Sequence, residues 1–181
     1  MKRIAVAALL VLGAATPWDA WAQRPNTVLK ETCAGPAPPP PALAAWSQPK
    51  DLSAARGPDG LAAAPLVPGQ AINAGLFPVE QVQYRVPPAK ADGPQVYGGL
   101  YRLTIAEAGV YRVAAGAGPW MDLFPGQSST PVTSIAHGHG PACSGVGKMV
   151  DFALQPGEYL VQFSESLAPK TEILVARLPT P

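Results

Sequence analysis

The chain has 181 residues, 48% hydrophobic and only 14% charged, with 23 prolines, 18 glycines and a formal net charge of +1. That much proline excludes a coiled coil and most all-helical folds, because proline inside a helix costs about 3 kcal/mol. The near-zero charge and the lack of a Lys/Arg cluster beyond the N-terminus argue against nucleic acid and anionic membranes as partners.

Lys2 and Arg3 precede the apolar run Ile4–Ala15, which is followed by Ala20-Trp21-Ala22. A basic start, a short apolar core and a small-residue cleavage site form the layout of a secretory signal peptide. The run of about 12 residues falls short of the ~20 that span a bilayer as a helix. Residues 1–22 are therefore read as a signal peptide cleaved after Ala22, and the mature protein as periplasmic or secreted. No comparable apolar run follows, so no membrane span is expected after cleavage.

Residues 23–68 hold ten prolines, including Pro38–Pro41, and ten alanines. Four consecutive prolines lack amide donors and adopt extended polyproline II. Leu43–Trp46 and Leu52–Arg56 each fit a helical turn, and Trp46 is read as a pin onto the following domain. This stretch reads as a Pro/Ala-rich arm or linker.

Residues 69–178 alternate short β-rich runs with turn signals. Gln70–Phe77 and Val82–Val86 are weak strand candidates. Leu100–Ile105 and Val110–Ala114, separated by Glu107-Ala108-Gly109, read as a hairpin. Trp120–Phe124, Val132–Ala136, Lys148–Leu154, Glu158–Ser164 and Thr171–Arg177 follow, with Gln155-Pro156-Gly157 as a tight turn. Strict alternation, as in Tyr159/Val161/Phe163 against Leu160/Gln162, marks half-buried strands. The expected fold is an all-β antiparallel sandwich, jelly-roll-like in one version, with residues 179–181 as a tail.

Cys33 and Cys143 are the only cysteines, 110 residues apart. In an exported chain an even count reads as a disulfide, for which chain entropy allows at most roughly 4–5 kcal/mol of stabilisation. The alternative is free thiols, with Cys143 as metal ligand or nucleophile. The segment His137-Gly138-His139-Gly140-Pro141-Ala142-Cys143-Ser144-Gly145 holds both histidines of the chain. On an extended backbone such a His-x-His pair shares one side, about 7 Å apart at Cα. It suits iron or zinc if a carboxylate completes the set, and Asp122 and Asp151 are the candidates. Otherwise it is a Gly/Pro loop with solvated histidines. Ser144 lacks the G-x-S-x-G elbow of a hydrolase. Tyr97, Tyr101 and Trp120 are candidates for stacking on a ligand, although the neighbours Met121 and Leu123 favour a core position for Trp120.

The segment HGHGPACSG, with Lys148-Met149-Val150-Asp151-Phe152 and Leu154-x-Pro-Gly-x-Tyr159 after it, resembles a group of short exported proteobacterial proteins. Some of these carry the name homogentisate 1,2-dioxygenase. That resemblance implies a non-haem iron dioxygenase of cupin type, in which His137 and His139 match the first half of G-x5-H-x-H-x3,4-E. Here Pro131 stands at the glycine position, Cys143 at the glutamate position, and no histidine follows His139. Separately, YRLTI…GVYRV…WMDLF…PGEYLVQF is similar to bacterial pre-peptidase C-terminal domains, which implies a sandwich fold. Three functions are therefore carried forward. One is a binding or accessory protein for a small ligand, glycan or envelope protein, the second a metal-dependent dioxygenase, and the third a purely structural envelope protein in which the His/Cys loop only carries Cys143. N-terminal sequencing of the exported protein is expected to start at Gln23, and finding Met1 there would overturn the cleavage reading.

Overall fold

Runs of Val, Leu, Tyr and Phe interrupted by Gly and Pro favour short strands that bury one face each. The computed structural model describes residues 33–88, 96–116 and 118–179, so the signal peptide expected over 1–22 lies outside the described residues. Among the described residues eleven strands form: β1 (Lys50–Ser53), β2 (Pro65–Leu66), β3 (Ala71–Gly75), β4 (Phe77–Pro78), β5 (Tyr97–Ile105), β6 (Gly109–Ala115), β7 (Trp120–Pro125), β8 (Ala136–Gly138), β9 (Lys148–Leu154), β10 (Gly157–Ser166) and β11 (Lys170–Arg177). One sheet runs β1-β3-β11-β6-β9-β8 and the other β2-β5-β10-β7, with β4 also on β5. Their inner faces share one core, in which Tyr101, Leu103, Leu123, Val161 and Phe163 of the second sheet meet Val113, Phe152, Ile173 and Val175 of the first. The protein is a β-sandwich. Among the described residues no helix is long and apolar enough to cross a membrane.

Several expectations need correction. The sheets are mixed, not purely antiparallel: β1 pairs parallel with β3, and β2 parallel with β5. Leu100–Ile105 and Val110–Ala114 do not form a hairpin. β5 pairs with β10, β2 and β4, whereas β6 pairs with β11 and β9 in the opposite sheet. A short glycine-containing link is equally able to carry the chain across the sandwich. Of the strand expected at Val132–Ala136 only Ala136 is in a strand, β8, and Val82–Val86 forms no strand. That last segment instead runs over the outer face of β10. Gln162, 1% exposed, accepts from the Arg85 amide at 3.1 Å and donates to the Val86 carbonyl at 2.7 Å.

The segment read as an arm packs on the sandwich from Pro41 onward. Leu43–Trp46 falls in a 3-10 helix over Pro41–Ser47, whereas Leu52–Arg56, expected as a helical turn, contributes to β1 and a bridge from Ala55 to Leu100. Leu43 and Trp46 cover the outer face of the six-stranded sheet against Ala71, Ala114, Val146, Leu174 and Ala176. The alanines leave room for the larger side chains. Cys33 and Cys143 form the expected disulfide, with Cα atoms 5.6 Å apart, and the Ala37 amide donates to the Cys143 carbonyl at 2.9 Å.

Two of the crossings between sheets are fastened by tyrosine hydroxyls. Between β5 and β6, Tyr111 donates to the Glu107 carbonyl at 2.9 Å. Between β9 and β10, the Tyr159 hydroxyl donates to the Gln155 carbonyl at 2.9 Å and accepts from its amide at 3.0 Å. Tyr101 differs: it is 0% exposed, edge-on to Phe163 at 5.8 Å between centroids, and its hydroxyl has no hydrogen-bond partner among the described residues. The same lost oxygen should therefore have opposite effects. In urea denaturation, Tyr159→Phe is expected to lose about 1–2 kcal/mol, and Tyr101→Phe to be neutral or to gain about 1 kcal/mol. An equal loss from both variants would refute this assignment.

Candidate functional site

β7 ends the five-stranded sheet and β8 ends the six-stranded one, so both sheets stop on the side where these edges lie. Residues 126–135 connect them. Val132 donates its amide to the Leu123 carbonyl at 2.7 Å, and Ile135 donates to the Asp151 carbonyl at 2.8 Å, which ties the connection to both sheets. A cleft of about 360 Å³ lies between the edges. Met121, Val150 and Phe152 line its buried part, while Trp120, Asp122, Ser134, His137 and Lys148 bring polar and aromatic groups to it.

Trp120 is 53% exposed although it lies within a strand. Period two puts Trp120 and Asp122 on one face of β7, where the indole Nε1–H donates to Asp122 Oδ2 at 3.0 Å. The Lys148 ammonium lies 5.0 Å from the centroid of the Trp120 ring and donates to the Pro119 carbonyl at 3.0 Å. The ring is thus held by a hydrogen bond and a cation–π contact. Partial burial raises the Asp122 carboxyl above its ordinary range and nearby Glu165 adds to this, against the opposing Trp120 hydrogen bond and Lys148 charge. Burial lowers the Lys148 ammonium, against the opposing charges of Glu165 and Asp122.

The residues singled out from sequence divide sharply. His137 pairs with Val150 in the β8–β9 ladder and lines the cleft together with Asp122 and Trp120. His139 lies beyond β8, and its Nδ1–H donates to the Gly147 carbonyl at 2.6 Å. Asp151 is opposite Ala136, one register position from His137, and so faces away from it. Both its oxygens are held by Arg112, at 2.7 Å from Nε and 2.8 Å from Nη2. Cys143 is in the disulfide. A facial triad needs two histidines and a carboxylate with free oxygens. Among the described residues no three of His, Cys, Asp and Glu come together in that way, so the donor set does not fit iron or zinc. Tyr101 is a core residue, and the half-buried Tyr97 packs against the same core next to β4; neither lines this cleft.

The His/Cys segment is the turn of the β8–β9 hairpin. Gly140 donates to the Val146 carbonyl at 3.1 Å, the Ser144 hydroxyl donates to the Pro141 carbonyl at 2.7 Å, and the Val146 amide donates to that hydroxyl at 3.2 Å. A Cβ at Gly140 would come within 2.5 Å of Val146 Cβ, and one at Gly147 within 2.2 Å of the Gly116 carbonyl oxygen. Cys143 takes φ 64°, which sets its sulfur towards the arm at a conformational cost.

Lys148 was missed in the sequence, although a signal existed. Period two places it on the face of Val150 and Phe152, where a lone cation is out of keeping with an apolar stripe. Glu165 gave no such signal. It lies in a bulge of β10, between Phe163 and Ser166, with φ 60°, where alternation fails.

No family model matches the chain, and no curated protein matches it. Among solved structures it is similar to the pre-peptidase C-terminal domain of collagenase from Bacillus anthracis. The identity is 13% and the TM-score 0.37, over 70% of this chain and 95% of that one.

The Asp122 shift has a definite sign. A carboxyl raised in the folded state binds its proton more tightly there, so its contribution to stability is present at low pH. That contribution is lost as pH rises through the raised folded value, above the ordinary Asp pKa of about 3.9. Asp122→Asn keeps an oxygen acceptor for the indole and removes this ionisation. Thermal melts should show a Tm at pH 7 equal to or above wild type and a flatter profile through the mildly acidic range. A lower Tm at pH 7 would show that the Lys148 attraction outweighs burial.

Proposed function

We propose that the chain is an exported binding or accessory module whose ligand docks at the cleft between the β7 and β8 edges. The observation that carries this reading is Trp120. A large aromatic ring is left half in solvent, fixed in orientation by Asp122 and Lys148, at a cleft with an apolar interior. Exposed aromatics with a polar surround are favoured ligand contacts, since they combine large contact area with little loss of side-chain freedom. A volume of about 360 Å³ is within the range of small-molecule sites. Export is supported by the signal-like N-terminus and by the Cys33–Cys143 bond, because disulfides persist in oxidising compartments.

The dioxygenase reading keeps only His137 and Asp122 at the cleft, with His139 and Asp151 bound to other groups. The two readings separate in one experiment. Isotope-labelled mature protein is titrated with a panel of soluble sugars, amino acids, aromatic acids and short peptides, and in parallel with Fe²⁺ and Zn²⁺. Ligand-induced shifts are expected at the Trp120 indole, Asp122, His137 and Lys148, and are expected to vanish in Trp120→Ala. Stoichiometric iron with homogentisate-dependent oxygen uptake would replace the binding reading, and shifts confined to other surfaces would overturn it.

A further inference from the structure

A second hollow of about 350 Å³ adjoins the first and shares Trp120, Asp122 and Pro131 with it. Val86, Pro87, Pro88, Phe124 and Glu165 complete its lining. The two are lobes of one groove that passes across Trp120, each at the lower end of the roughly 300–1,000 Å³ typical of small-ligand sites. Building on the proposed binding function, we infer that the ligand is a neutral linear glycan of at least two sugar units, lying across Trp120 with one unit in each lobe.

Four features point to this class. First, two hollows of similar volume share Trp120, so the ring borders both, which suits successive rings better than one compact molecule. Second, its lining carries both signs: the carboxylates of Asp122 and Glu165 and the Lys148 ammonium over the Trp120 ring, while Arg85 lies outside the lining on the Gly126 and Ser128 carbonyls. Two carboxylates against one cation disfavour an anionic ligand and supply donors and acceptors for hydroxyl groups beside an apolar ring face. Third, the walls are fixed in advance. Gln162 clasps residues 85 and 86, Tyr84 donates to the Phe163 carbonyl at 3.1 Å, and Arg85 Nη1 donates to the carbonyls of Gly126 at 2.7 Å and Ser128 at 3.1 Å. Proline-lined, hydrogen-bonded walls lose little freedom on binding. Fourth, an extended peptide adding to the β7 edge would meet Val132, which already bonds Leu123 there.

The β10 bulge has a consequence in this setting. Regular alternation would turn residue 165 away from the face carrying Gln162 and Ser164, whereas the left-handed backbone at Glu165 brings its side chain to the second lobe. Glu165 is thus a specificity residue for the second sugar unit.

The test is an NMR titration of the mature protein with glucose, cello-, malto- and chito-oligosaccharides of one to four units. Affinity is expected to rise roughly ten-fold or more from one unit to two in at least one series, with shifts at His137 and Ser134 in one lobe and at Val86 and Glu165 in the other. Trp120→Ala is expected to abolish binding, and Trp120→Phe to retain part of it. Glu165→Gln should weaken the disaccharide and leave the monosaccharide unchanged, with thermal melts confirming that each variant folds. Equal affinity for one and two units, with shifts in a single lobe, would overturn the linear ligand. Binding at Trp120 by peptides, charged fragments or other non-sugars, with no response to any saccharide, would overturn the glycan class while the binding module stands. Shifts nowhere near Trp120 would overturn both.

Discussion

The structure depends on one constraint of chain path: consecutive strands are placed in opposite sheets almost throughout. β1, β3, β6, β8, β9 and β11 belong to one sheet, and β2, β4, β5, β7 and β10 to the other. Each crossing takes backbone polar groups across the end of an apolar sandwich, where they need partners. Tyr111 and Tyr159 supply these at two crossings by bonding back four residues to Glu107 and Gln155. The path also makes most pairings non-local, so the core assembles only when distant strands meet. Closing such long loops is slow relative to hairpin formation. A tether between Cys33 and Cys143 reduces the entropy of the unfolded chain in just this kind of topology.

The same path explains what was legible in the sequence. Strand positions from β5 to β7 and from β9 to β11 follow from alternation, because burial of one face imposes period two whichever strand is adjacent. Partners do not follow. Leu100–Ile105 and Val110–Ala114 carry the same pattern whether they pair or cross, and a short Gly-containing link serves both. The Pro-rich segment misled for a different reason. Its alanines read as lack of core, yet Ala54, Ala55 and Ala64 are buried because small residues are needed where the chain passes close to β5. His137 was found in the sequence by residue type, whereas Trp120, favoured as a core residue beside Met121 and Leu123, is 53% exposed because it faces outward on an edge strand. Glu165 was not found, since a bulge leaves no period to read.

The most unusual motif turned out to serve the scaffold more than the chemistry. In HGHGPACSG, glycines allow close backbone approach, Ser144 closes the turn, and Cys143 ties it to the chain before the Pro41–Ser47 helix. Trp46 and Leu43 then cover the outer sheet face beside Val146. His139 holds the end of the hairpin through Gly147. Only His137, one ladder position inside that turn, reaches the cleft. Rigidity of the hairpin matters to the site even so, because β8 is three residues long and would otherwise fray.

Open sheet edges invite pairing with other chains unless they are covered. Here the two edges that face each other are covered by residues 126–135, which bond to β7 at Leu123 and to β9 at Asp151. Covering two edges of different sheets with one short segment leaves a trough on either side of Trp120, since the segment cannot fill the gap between the sheets. The groove is therefore a consequence of edge protection, and polar side chains sit on its rim outside the core. Lys148 and Asp122 are both held where burial disfavours their charge, and they persist because each faces the other near the indole. Such partly desolvated polar groups around an exposed aromatic ring contribute little to folding. On the proposed binding reading, a ligand seated at Trp120 would meet them there.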